Sequence, residues 1–105
     1  MPLPTLTEEQ RKEALAKAAE ARRRRAELKA QLKAEKVSLR DILARQGEDV
    51  VGKMKVSSVL ESLPGVGKVR ARKIMEELEI SDSRRVRGLG ANQRRALLER
   101  FAAER

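Results

Sequence analysis

Apolar residues are spaced unevenly along this chain, and their spacing divides it into two regions. In residues 1–36 large aliphatic side chains are few, and alanine, glutamate, lysine and arginine predominate. Residues 37–105 hold most of the large apolar positions. The pattern therefore predicts a helical arm over residues 1–36 and a small domain with its own core over residues 37–105.

The arm has the pattern of one long helix. Thr7 and Gln10 have the spacing of a capping box, and no glycine or proline occurs from there to about Glu35, where we expect the helix to end. The small and apolar residues at three- and four-residue steps are Ala14, Ala18, Ala21, Leu28 and Leu32. We expect Leu28 and Leu32 to pack against the domain, and the amino-terminal half of the helix to stay exposed.

The first part of the domain is predicted to form two short helices joined by a turn. Ser38, with Asp41 three residues later, has the signal of a helix start. The glycine at position 52 indicates a turn. Ser57 is the expected cap of a further helix, which must end before Pro64 because the residue preceding a proline disfavours helical geometry.

The remainder of the domain also has helical spacing. A helix is predicted from Gly67 to about Glu79, with the apolar residues Val69, Ile74, Met75 and Leu78 facing inward. A last helix is expected after Asn92. No alternating strand pattern of useful length occurs. The predicted fold is all-α: a long amino-terminal helix followed by a small helical domain.

Charge and composition narrow the chemistry. The chain has 25 lysines and arginines against 16 acidic residues, a net charge of +9 and a pI near 10.6, so acidic partners are expected. It contains no cysteine and no histidine, which argues against metal sites, cofactors and nucleophilic or imidazole catalysis. Because Phe101 is the single aromatic residue, stacking on bases is disfavoured, and phosphate contacts must carry any nucleic-acid binding.

The chain shows no sign of membrane insertion or secretion. No stretch approaches the roughly 20 consecutive apolar residues of a membrane span, and Met1–Thr5 is not followed by an apolar signal core. We therefore expect a cytoplasmic protein that does not bind membranes.

The strongest local motif resembles a helix-hairpin-helix. An apolar helix end leads into Pro64-Gly65-Val66-Gly67, and Lys68 and Arg70 follow. Glycines permit close backbone approach to a phosphate, and the start of the next helix offers unpaired amides. These six residues are predicted to bind DNA. The alternative is that the motif is only a tight turn between helices.

A second motif is a basic loop at residues 83–90. Arg84, Arg85 and Arg87 surround an apolar residue and lead into Gly88. Arginine side chains suit phosphate oxygens, and they also suit a narrow minor groove. We predict DNA contacts from these four residues, although a short basic run is often only a solvated face.

Other basic residues are candidates for secondary DNA contacts: Arg22, Arg23, Arg24, Arg25, Lys53, Lys55, Arg94 and Arg95. The four consecutive arginines surround the predicted helix and do not form one face. They are interpreted as an electrostatic arm, with a solvated helix balanced by Glu20 and Glu27 as an equal alternative.

Three blocks together resemble a known family. They are residues 52–56 (GKMKV), residues 60–71 (LESLPGVGKVRA) and residues 83–90 (SRRVRGLG). In this order they are similar to the integration host factor of actinobacteria, a single-chain nucleoid-associated protein, and the similarity extends over essentially the whole chain.

The resemblance implies a helix-two-turns-helix domain, which is also similar to part of a ribosomal protein. It implies binding of double-stranded DNA with low sequence specificity, DNA bending and compaction, effects on transcription, and assistance to phage integrase. The expected location is the nucleoid, and we expect a monomer in solution.

Two other classes of function are weighed against this one. An RNA-binding or ribosome-associated protein is compatible with a basic helical surface, because such a surface also fits the A-form backbone. An enzyme such as a glycosylase is disfavoured, since it needs catalytic residues and a base pocket that a chain this short is poorly equipped to form.

Overall fold

Six α-helices make up most of the described part of the chain, which is residues 7–103 of the computed structural model. They are α1 (Glu8–Lys33), α2 (Leu39–Ala44), α3 (Asp49–Lys53), α4 (Val56–Ser62), α5 (Gly67–Glu77) and α6 (Ala91–Ala103), with a 3₁₀ turn at Val86–Gly88. The described residues form no β-strand, only an isolated antiparallel bridge between Lys55 and Arg85. The predicted all-α class is confirmed. The prediction made for Met1–Thr5 lies outside the described residues.

Capping boxes begin α1 and α2, as predicted. The Thr7 hydroxyl accepts a hydrogen bond from the Gln10 amide at 3.1 Å, and the Gln10 side chain accepts one from the Thr7 amide at 3.0 Å. Ser38 and Asp41 make the same reciprocal pair at 3.1 and 3.0 Å. The hydrogen bonds from Ser38 lower the pKa of Asp41, so its negative charge is retained at the positive end of the helix.

The core is entirely apolar. Leu28 and Leu32 are buried and fix the carboxyl-terminal half of α1 against α3 and α4, as predicted, whereas Leu15 in the other half is exposed. Among the described residues, no polar or charged side chain is buried. The remaining buried hydrophobic side chains are those of Leu39, Ile42, Leu43, Val51, Met54, Val56, Val59, Leu60, Val66, Ala71, Ile74, Met75, Ile80, Val86, Leu89 and Leu97.

The segment around Gly52 is helical, so the predicted turn is wrong. Gly52 lies within α3 and is buried. A Cβ atom at this position would overlap the carbonyl oxygen of Gln46 and lie 3.2 Å from the Cβ of Arg87. The glycine therefore permits close packing of backbone and side chain. In the sequence, a glycine required for close packing looks the same as a glycine required for a turn.

The start of α4 also differs from the prediction. The helix begins at Val56 with Lys55 as its N-cap residue, and Ser57 already lies inside it. Val56 is buried, and its amide donates to the carbonyl of Arg84 at 3.0 Å. Tertiary contacts therefore fix the first turn of α4 without a side-chain cap.

The inward assignment of Val69 is wrong. Val69 is 85% exposed, whereas Ala71, Ile74 and Met75 are buried on the opposite side of α5. At about 100° per residue, Val69 lies five residues and roughly 140° from Ile74. Leu78, which follows α5, packs against the core as a half-buried residue.

Both α1 and α5 end close to the predicted positions and use glutamate where glycine is more usual. Glu35 and Glu79 have φ values of 60° and 58°. The amide of the next residue returns to the helix in each case, from Lys36 to Gln31 at 2.9 Å and from Ile80 to Met75 at 2.8 Å. This is the Schellman arrangement, which satisfies the last carbonyl groups of a helix.

The last helix is predicted to begin after Asn92. In the structure α6 begins at Ala91, one residue before Asn92. The Gln93 side chain accepts a hydrogen bond from the amide of Gly90 at 3.0 Å. Leu97 is fully buried, and Phe101 packs against the core, so α6 closes the domain.

Candidate nucleic-acid interface

The connection between α4 and α5 is a tight hairpin built on two glycines. Gly65 has a φ of 76° and Gly67 a φ of 67°. Both values lie in the left-handed region that other L-residues rarely adopt. Pro64 ends α4 because it cannot supply the amide that a continuing helix needs. The sequence motif thus corresponds to a specific backbone shape.

The outer side of this hairpin is open. A Cβ atom placed on Gly65 or Gly67 would meet nothing within 4 Å, so the glycines leave room for another molecule to approach the backbone. Gly67 is also the first residue of α5, and the first amides of a helix have no partner inside it. The exposed Lys68 adds a positive charge beside these amides. The arrangement is typical of an anion site.

Two predicted members of the hairpin instead support it from within. Val66 is buried, and its amide donates to the Leu63 carbonyl at 3.2 Å. The Val66 side chain and amide are therefore turned away from the open side. One guanidinium nitrogen of Arg70 lies 3.5 Å from the carbonyl oxygen of Gly65. Arg70 is exposed, but this contact folds it back over the hairpin.

The basic loop is fixed to the start of α4 by its backbone. The amide of Val86 donates to the Met54 carbonyl at 2.9 Å, and the Arg84 carbonyl accepts from the Val56 amide at 3.0 Å. These two bonds flank the bridge between Lys55 and Arg85. Val86 is fully buried and anchors the loop in the core.

The three loop arginines are exposed, and each also contacts another part of the protein. Arg84 donates to the carbonyl of Gly88 at 3.1 Å, and Arg85 donates to the carbonyl of Lys53. The stem of Arg87 packs against Gly52. The loop therefore presents three cationic side chains from a backbone that the core already orders.

The hairpin and the loop lie at opposite ends of α4. The loop bonds to residues 54–56, where α4 begins, and the hairpin follows Ser62, where α4 ends. Seven helical residues span about 10 Å. This distance is between the widths of the minor and major grooves of B-DNA, which are about 6 and 12 Å. The two elements are thus spaced on the scale of one groove.

The four arginines of the arm have different environments. Arg23 and Arg24 both bind Glu20, at 2.5 and 3.1 Å. Their hydrogen bonds lower the pKa of Glu20, so this carboxylate stays charged and partly neutralises both of them. Arg22 is exposed, and Arg25 is half-buried. The four arginines therefore do not present a uniform positive charge around the helix.

The other candidates for secondary DNA contacts also differ in their surroundings. Lys53 forms an ion pair with Asp49 at 3.1 Å, whereas Lys55 is exposed next to the basic loop. Arg94 is half-buried and donates to the Gln46 side chain and the Leu89 carbonyl at 3.1 and 2.8 Å. Those bonds give Arg94 a structural role at the base of the loop. Its neighbour Arg95 is exposed.

Sequence reasoning missed two lysines beside the hairpin. Lys29 and Lys33 of α1 line the same surface groove as Gly67 and Lys68. Their four-residue spacing indicates a shared helix face. Their position near the hairpin depends on how α1 packs against α4, and no local pattern reports that packing.

Two features are absent from residues 7–103. Within this range, no helix has both the length and the apolar character needed to cross a membrane. The same residues contain no group of carboxylates arranged to hold a metal ion.

Comparisons with known proteins place the chain among described relatives. The S13-like H2TH domain family matches residues 32–101. The Integration host factor of Streptomyces coelicolor is 61% identical over 104 residues, which are 98% of this chain and 97% of the relative. The Integration host factor of Mycobacterium tuberculosis is 58% identical over 104 residues, 98% of this chain and 99% of the relative.

A relative from Mycolicibacterium smegmatis with the same name is 59% identical over 102 residues, 96% of this chain and 97% of the relative. A solved structure of sIHF bound to an 8bp palindromic DNA has a TM-score of 0.80 and 61% sequence identity. The match covers 82% of this chain and 98% of that chain.

Proposed function

The chain belongs to the actinobacterial integration host factor family and carries an S13-like H2TH domain, and from that premise we propose that it is an architectural protein that binds duplex DNA. It acts by binding and not by catalysis. The observation that carries the proposal is the open glycine hairpin at the start of α5, whose shape suits a phosphate. The DNA-bound state of the similar solved structure supports it.

In the proposed complex, the hairpin and the basic loop hold different phosphates of one duplex. The amides of Gly65 and Gly67 and the charge of Lys68 bind one strand. Arg84, Arg85 and Arg87 bind the other strand across a groove, about 10 Å away along α4. Contacts of this kind position a protein on DNA and carry no direct sequence information. Low sequence specificity follows.

A salt titration tests this assignment. Affinity for a random-sequence duplex should fall with salt, with a slope of about −0.9 per neutralised phosphate. Replacing the three loop arginines with alanine should make that slope shallower by about 2.7. Lys12 and Lys17 on α1 and Arg40 on α2 provide a control triple of equal charge, since all three are exposed and none is a predicted DNA contact. A control that changes the slope as much as the loop variant would refute a specific role for the loop.

The loop variant and the control variant must both be shown to fold like the wild type, because Arg85 also donates to the Lys53 carbonyl. Far-ultraviolet circular dichroism supplies that check. A wild-type protein whose duplex affinity is insensitive to salt would refute backbone binding altogether.

We also propose that binding bends and compacts DNA, as the family resemblance implies. Smoothly bending a site of 20–30 base pairs costs on the order of 1–6 kcal/mol, so additional phosphate contacts must offset the deformation. Fluorescence transfer between the ends of a labelled duplex should increase at saturating protein. An unchanged transfer efficiency would refute the bending proposal but not the binding proposal.

The proposed cellular role is that of a nucleoid protein that influences transcription and assists phage integrase. We propose that it is a monomer in solution, with residues 1–36 as an arm and residues 37–105 as the domain. A recombination assay with purified integrase tests the recombination role directly. Recombination that is equally efficient without the protein would contradict it.

RNA is the second candidate ligand, and the S13-like match is the observation that favours it. A basic helical surface also fits A-form RNA backbone. Competition at equal salt distinguishes the two ligands: we expect duplex DNA to displace structured RNA. The reverse order of affinity would favour a ribosome-associated role.

A further inference from the structure

A surface groove connects the hairpin to α1. Its volume is about 380 Å³, and it is bounded by α1, α4 and the first residues of α5. The lining includes Lys29 and Lys33 of α1, Glu61 and Ser62 of α4, and Gly67 and Lys68 of α5. The groove therefore begins where the hairpin ends and continues onto the arm.

The rotation of α1 about its axis is set by the core. Leu28 and Leu32 are 7% and 1% exposed. Each is followed directly by a lysine, and one residue turns the helix by about 100°. Burial of the two leucines therefore fixes the direction of Lys29 and Lys33, which both line the groove beside the hairpin and remain exposed.

The charge in the groove is predominantly positive. Three ammonium groups line it, against the single half-buried carboxylate of Glu61. The Ser62 hydroxyl donates to the Ser58 carbonyl at 2.8 Å, so the lysines are the main donors available to a ligand. A chain of phosphate groups matches this chemistry.

The positive face continues along α1 beyond the groove. At about 100° per residue, Arg22 and Arg25 lie within roughly 20° and 40° of Lys29 around the helix, whereas Glu20 and Glu27 lie roughly 180° and 160° away. A different groove contains Glu27 together with Arg24, Arg45 and Glu48. Between residues 20 and 33 the charges of α1 are thus segregated, with one face cationic and the other balanced.

We propose that the groove formed by Lys29, Lys33 and Lys68 is a second phosphate-binding site, which carries the backbone of the bound duplex from the hairpin onto α1. This inference rests on the proposed duplex binding and names the face of the arm that takes part. Lys29 and Lys33 are separated by about 6 Å along the helix axis. Two base steps advance a DNA strand by a similar distance along the duplex axis, about 6.8 Å.

The test compares two double variants in a salt titration with a random-sequence duplex. Lys29→Ala with Lys33→Ala removes two charges from the groove. Lys12→Ala with Lys17→Ala removes two charges from the same helix outside it. Alanine has the highest helix propensity, so both variants should retain α1, and circular dichroism checks this.

The groove variant should have a salt slope shallower by about 1.8 than the wild type. Between about 50 and 200 mM salt, its affinity should therefore fall about 12-fold less than that of the wild type. The distal variant should keep the wild-type slope. Lys29→Arg with Lys33→Arg should also keep it, because charge is preserved.

Equal slopes for the groove and distal variants would overturn the inference while leaving duplex binding established. A wild-type protein without salt-dependent duplex binding would instead overturn the proposed function itself.

Discussion

Gly52→Ala should destabilise the protein, although alanine is the better helix former. Gly52 lies in α3 and is buried beneath the basic loop. The added methyl group would overlap the backbone carbonyl oxygen of Gln46 and approach Arg87 Cβ to 3.2 Å and Cδ to 3.5 Å. The arginine stem can adjust, but the carbonyl belongs to the turn that leads into α3 and cannot move alone.

Two opposing free energies decide the outcome. Replacing glycine with alanine inside a helix favours folding by about 1 kcal/mol. An extra methyl group in a packed region typically costs about 1–3 kcal/mol. We expect a net loss of up to about 2 kcal/mol. Because 1 kcal/mol corresponds to roughly 4–8 °C in a domain of this size, the melting temperature should fall by several degrees.

Thermal unfolding followed by circular dichroism measures this difference, with Gly47→Ala as the matched control. A Cβ atom at Gly47 would meet nothing within 4 Å, so this variant should melt at or slightly above the wild-type temperature. A Gly52→Ala protein as stable as the wild type would refute the packing argument. It would show that the loop and α3 separate at little cost.

Two further predictions concern stability. Val69→Ser should change the free energy of unfolding by no more than about 0.5 kcal/mol because the side chain is exposed. Ile74→Ala should lower the free energy of unfolding by about 2–5 kcal/mol because the side chain is buried. Urea unfolding measures both values, and equal losses would contradict the assigned faces of α5. Hydrogen bonds from Ser38 lower the pKa of Asp41 in the folded state, so their stabilising effect is present at neutral pH and is lost as the pH falls through the pKa of that carboxyl group. Asp41→Ala should therefore lose less stability on acidification than the wild type, and parallel curves would refute the linkage.

The features that sequence predicts correctly depend on neighbouring residues. Thr7 and Ser38 cap their helices because each partner is three residues away. The hairpin is also local, since two glycines and a proline determine its backbone. Helix ends near Glu35 and Glu79 follow from the change in composition, although neither has the glycine that usually marks such an end.

The features that sequence misses depend on packing between distant segments. Gly52 signals a turn until its contacts with Gln46 and Arg87 are known. Likewise, the value of Lys33 as a site residue depends on the packing of α1 against α4. The boundary at residue 36 stays a prediction, and so does the set of DNA-contacting residues.

The wholly apolar core has a consequence for how this surface can change over evolution. Since no charged side chain among the described residues is buried, exchanging one cation or carboxylate on the surface does not leave an unpaired charge inside the protein. Ion pairs on such a surface contribute little to stability. The arrangement of surface charge can therefore change by substitution while the scaffold stays constant.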